Sequence, residues 1–61
     1  MNIRYKVYYF TKEQYESGEI VPTSWKSILP YKKIRASSDT KAIEIFRHKY
    51  HDLVPIVASL Y

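Results

Sequence analysis

Residues 3–10 read IRYKVYYF, and their alternation decides the fold. A period of two puts Ile3, Tyr5, Val7 and Tyr9 on one face of a strand. Arg4, Lys6, Tyr8 and Phe10 fall on the other. The first row is apolar enough to lie under a helix. The second is basic and aromatic, where a plain solvent-facing row would be mixed and polar.

Residues 31–36, YKKIRA, repeat the pattern. Ile34 and Ala36 take one side with Lys32 at its rim, and Tyr31, Lys33 and Arg35 take the other. Ser37, Ser38 and Asp39 follow, all good N-caps, with Asp39 suited to the positive end of a helix dipole. The spacing predicts a helix over 39–53. At about 100° per residue, Ala42, Ile43, Phe46, Tyr50 and Leu53 form one apolar stripe with Ile45 at its edge. Lys41, Glu44, His48 and His51 lie opposite, and Pro55 ends the helix. The closing IVASLY, apolar and β-branched, predicts a third strand.

The connection between the first two strands has its own signals. Thr11 and Gln14 make a capping box for a helical turn at 12–17, which Gly18 then stops. Residues 20–30, IVPTSWKSILP, are bracketed by Pro22 and Pro30 and read as a long loop with one helical turn after Ser24. Trp25, Ile28 and Leu29 pin it to the core.

The order strand, loop, strand, helix, strand defines an α+β class over a single domain, 1–61. A helical crossover joins parallel strands. The first strand therefore fits between the other two, antiparallel to both, in a three-stranded sheet of order 2-1-3 with the helix on one face. A hairpin plus helix with a disordered tail is the alternative.

A chain of 61 residues buries only about 60% of its unfolded surface. With no cysteine, neither disulfides nor thiolate metal sites reinforce it. Seven Tyr, two Phe and one Trp supply part of the missing burial. No basic-then-apolar leader opens the chain and no apolar run is long enough for a membrane span, so a cytoplasmic location is expected. The net charge of +4 is unevenly placed: residues 1–10 and 20–38 contain basic residues and no acid.

These features weigh against catalysis. Gly18 is the only glycine, so no phosphate loop exists, and Ser37 and Ser38 are explained as caps. Glu44, His48 and His51 share a helix face, but on its solvated side and without a distant fourth ligand, so neither a metal nor another cofactor is expected. What remains is a sheet face of Arg4, Lys6, Tyr8, Tyr31, Lys33 and Arg35, with Trp25 in the adjoining loop. Cations neutralise phosphates and flat rings stack on bases, so the expected partner is a nucleic acid or nucleoprotein. Tyr and Arg also favour protein interfaces. A larger host protein is thus the second candidate, and self-association through the open face or the 31–36 edge a third.

The run Tyr5-Lys6-Val7, then Lys33-Ile34-Arg35-Ala36-Ser37, then Ala42 and Phe46 resembles the archaeal ribosomal LX family, small RNA-associated proteins of the large ribosomal subunit. The resemblance implies the same strand, strand, helix order and does not extend to residues 11–30. The tyrosine- and lysine-rich style also resembles small phage and mobile-element accessory proteins, many of which bind and block a host protein.

Overall fold

The computed structural model describes residues 2–61. Its elements are β1 (Ile3–Thr11), α1 (Lys12–Glu16), α2 (Trp25–Ile28), β2 (Tyr31–Ala36), α3 (Asp39–Lys49) and β3 (Leu53–Leu60). The sheet order is β2-β1-β3, with β1 antiparallel to both neighbours. This is the α+β arrangement expected from the strand alternation.

The local signals act as their chemistry dictates. The Gln14 N–H donates to Thr11 Oγ1 at 3.2 Å while the Thr11 N–H donates to Gln14 Oε1 at 2.9 Å, closing the capping box of α1. Gly18 follows at φ 76°, a left-handed position that glycine enters without a Cβ penalty. Ser38 caps α3 by accepting from the Lys41 N–H at 3.2 Å.

Helix α3 is shorter than the apolar stripe suggested. It ends at Lys49, with Tyr50 as C-cap at φ −125° and ψ 81°. Leu53 already belongs to β3, and so does Pro55. The reason lies in Pro55, which forces Val54 toward extended backbone and so pulls the chain into a strand before itself. β3 therefore starts at Leu53 rather than Ile56, and its register against β1 shifts between Tyr8 and Tyr9.

Two cores lie on opposite sides of the sheet. On the helix side, Tyr5, Val7, Ile34, Ala36, Ala42 and Phe46 are buried together, with Tyr9, Tyr50, Leu53 and Ala58 against them. On the other side, Tyr8, Phe10 and Leu29 are buried, flanked by Trp25, Val54, Ile56 and Val57. Ile3, at the start of the apolar row, remains 40% exposed. The second core corrects the picture of a fully open face: the 20–30 segment folds over the half of it nearest Phe10.

Candidate functional site: a cation ladder on the uncovered half-sheet

The strand register decides which side chains meet on the uncovered half. Arg4 is opposite Arg35, Lys6 opposite Lys33, and Tyr8 opposite Tyr31. Each row across β1 and β2 thus pairs a residue with its own kind. Directly opposed positions put Cβ atoms about 4.5–5.5 Å apart, a spacing at which like charges destabilise a sheet. Successive rows on one face lie about 6.6–6.8 Å apart. Four cations therefore occupy a small rectangle, and a shallow depression of about 280 Å³ lies among Arg4, Lys33, Ile34 and Arg35. No acid answers them: among the described residues the salt bridge found is Lys41–Glu44, on α3.

The expected site residues divide into two groups. Arg4, Lys33 and Arg35 are exposed and Lys6 half-buried, while Tyr31 is 42% exposed. These five share one surface. Tyr8, expected on that surface, is only 3% exposed. Its ring is packed edge-on against Trp25 at 4.8 Å and tilted against Tyr31 at 5.4 Å. Trp25 is half-buried by the same contact, with the Lys26 ammonium 5.4 Å from its ring centre. Tyr8 and Trp25 hold the loop to the sheet and are not free stacking platforms.

Tyr61 joins the site instead. Its N–H donates to the Arg4 carbonyl at 3.0 Å, extending the β3 ladder by one residue. Its ring lies 4.7 Å from the Lys33 ammonium and 5.4 Å from that of Lys6, and Lys6 also reaches the Tyr31 ring at 5.1 Å. The alternation of IVASLY carries the signal for this: once Ser59 is set beside Lys6, Tyr61 falls on the same face two residues on.

The Lys33 and Tyr61 ionisations are linked. Hydrogen bonding with the phenolic oxygen, then charge attraction to it, raises the Lys33 pKa above 10.5; the same two causes lower that of Tyr61 below 10.0. Lys33→Met is expected to return the Tyr61 phenol upward toward its ordinary titration. A pH series of the Tyr61 ring signals by NMR checks this, and an unmoved midpoint refutes the contact.

Among the described residues, no group of three or more His, Asp or Glu side chains is placed to hold a metal ion. No helix among them is long and apolar enough to cross a membrane. His51 lies beyond the end of α3, so Glu44, His48 and His51 do not share one helix.

The fold and site together define a small α+β open-sheet protein presenting an uncompensated cluster of cations. No protein-family model matches the chain, and neither a curated protein nor a solved structure matches it.

Proposed function

We propose that this is a non-enzymatic, cytoplasmic binding module that holds the phosphate backbone of a nucleic acid on Arg4, Lys6, Lys33 and Arg35. One observation carries the reading: two like-charge pairs stand directly opposite across β1 and β2 with no acid beside them. Such an arrangement works against folding and is relieved by a bound polyanion. Tyr31 and Tyr61, 42% and 53% exposed, offer ring edges and faces for bases at the rim. The flat, open surface favours single-stranded or irregular RNA over the deep grooves of a duplex, because unpaired bases can splay onto it.

The test is salt dependence. Each phosphate neutralised on a single strand contributes about −0.7 to the slope of log K against log salt, so four contacts give a slope of about −2.8. Fluorescence anisotropy with a labelled single-stranded RNA across a salt series reads this directly. A slope near zero would refute phosphate recognition.

A second reading rests on a different surface. Ile20, Val21 and Ile28 are 85%, 40% and 61% exposed. Ile20 and Ile28 line a cavity of about 420 Å³ with Phe10, Leu29 and Pro30. Exposed apolar groups clustered this way suit a protein partner, as in a nucleoprotein or a blocked host protein. Such binding would respond little to salt.

A further inference from the structure

The sheet order leaves β2 on an edge, and that edge is regular. Its pairing with β1 steps one residue at a time from Ile3 opposite Ala36 to Tyr8 opposite Tyr31, and Pro30 stands just before the strand begins. The β3 edge differs on both counts: Pro55 lies within it, and its pairing shifts between Tyr8 and Tyr9. Prolines and bulges blunt an edge against further strands. Of the two edges, β2 is the one built to accept another.

Two backbone hydrogen bonds fix which groups of β2 face outward. The Tyr61 N–H donates to the Arg4 carbonyl at 3.0 Å, and the Tyr9 N–H donates to the Pro30 carbonyl at 3.2 Å. Antiparallel ladders alternate, so Arg4 and Lys6 turn their backbone groups toward β3 while Tyr5 and Val7 turn theirs toward β2. Ile34 and Lys32, opposite Tyr5 and Val7, are thereby engaged with β1. Lys33 and Arg35 aim their N–H and C=O groups away from the sheet. Both also carry exposed cationic side chains on the ladder face. At this edge, backbone pairing and charge recognition act at the same positions.

The sign of that charge decides which strand fits. A second copy of β2 would set Lys32, Lys33 and Arg35 against their own kind, and a neutral strand would leave the cations unanswered. A strand with carboxylates two residues apart answers both. Directly opposed residues put Cβ atoms about 4.5–5.5 Å apart, where opposite charges stabilise the pair. The depression of about 280 Å³ among Arg4, Lys33, Ile34 and Arg35 adds to this. The Ile34 side chain is buried in the helix-side core, so the side chains around the depression on the ladder face are the three cations. A carboxylate set opposite Arg35 enters the depression and meets Arg4 as well.

We propose that β2 is the docking edge for an acidic protein segment, which adds as a fourth strand with one acidic side chain opposite Lys33 and another opposite Arg35. Main-chain hydrogen bonds to Lys33 and Arg35 hold the segment, and the alternate carboxylates select it. The proposal does not depend on RNA recognition, although both draw on the same two side chains: the nucleic acid lies on the face, the segment extends the sheet.

A synthetic heptapeptide alternating Glu with Val, capped at both ends, is the probe, and amide hydrogen exchange of the parent protein by NMR is the readout. On binding, the Lys33 and Arg35 amides are expected to exchange at least tenfold more slowly, while those of Lys32 and Ile34 hold steady. A peptide N-methylated at its Glu residues keeps every charge but loses the donors that pair with β2. It is expected to bind about tenfold more weakly or worse. Lys33→Glu with Arg35→Glu is expected to reject the Glu peptide and prefer one with Lys in place of Glu. Should that variant misfold, the N-methylated peptide decides on the parent alone. Absence of binding overturns the proposal, and so do equal affinity for the N-methylated peptide or unprotected Lys33 and Arg35 amides, either of which would reduce the contact to charge. RNA affinity and its salt slope are measured separately, so failure of one reading leaves the other intact.

Discussion

Phe46→Ala is expected to unfold the protein. Phe46 is fully buried, with Tyr50 at 5.0 Å and Tyr9 at 5.6 Å between ring centres, and it is the largest side chain that α3 places on the sheet. Truncating a buried Phe costs about 3–5 kcal/mol. A chain of 61 residues at about 0.05–0.15 kcal/mol per residue has only about 3–9 kcal/mol to lose. No disulfide holds the remainder together, since the chain has no cysteine. Thermal melts by far-UV circular dichroism should lose their cooperative step at 25 °C and above. A sigmoidal melt close to the parent's would show that α3 is not the main cover of the helix-side core.

Lys33→Glu with Arg35→Glu should abolish RNA binding and leave the protein as stable as before, or more so. The two effects have opposite signs for one reason. In the parent, Lys33 faces Lys6 and Arg35 faces Arg4; in the variant both rows become pairs of opposite charge, which a sheet favours. A partner held by phosphate contacts then meets two carboxylates in place of two cations. Net charge also falls from +4 to zero, so a control is needed. Lys12→Glu with Lys49→Glu makes the same change in charge on α1 and α3, away from the ladder, and should retain most binding. Equal loss in both doubles would reduce the effect to net charge; undiminished affinity in the first would refute the ladder as the binding surface. A rise in melting temperature with loss of binding is a signature that a structural role for these cations would not produce.

Much of this was legible in the sequence because the deciding features are periodic or local. Alternation in IRYKVYYF and YKKIRA gave the two faces, and the β-loop-β-α-β order gave the central place of β1. The capping box at Thr11 and the cap at Ser38 are short-range chemistry and formed where the residues stand. The end of α3 was not legible. Tyr50 and Leu53 do pack on the helix-side core, as the stripe requires, but one acts from a cap and the other from a strand. Apolar spacing alone cannot distinguish those states. Tyr8 shows a different limit: alternation assigns a side chain to a face but says nothing of what folds over that face. The cover comes from an aperiodic segment between two prolines, whose path depends on where Trp25 and Leu29 find room. Tyr61 entered the site only through the register of β3, a non-local fact.

The placement of one core on each side of a single sheet has a consequence for how the molecule opens. The helix-side core is closed by α3, whose backbone is satisfied internally. The opposite core is closed by the 20–30 segment, which reaches the sheet through one backbone hydrogen bond, at Tyr9 and Pro30, and through Trp25 and Leu29. Opening this side leaves Phe46, Val7 and Ala42 covered, so it requires only a fraction of the free energy of complete unfolding. The chain therefore has two tiers of excursion, a shallow one in which Tyr8 and Phe10 meet solvent and a deep one in which everything does. β1 and β3 line both cores and so belong to both tiers, and the shallow one places two fresh aromatic rings beside four cations without the protein having unfolded.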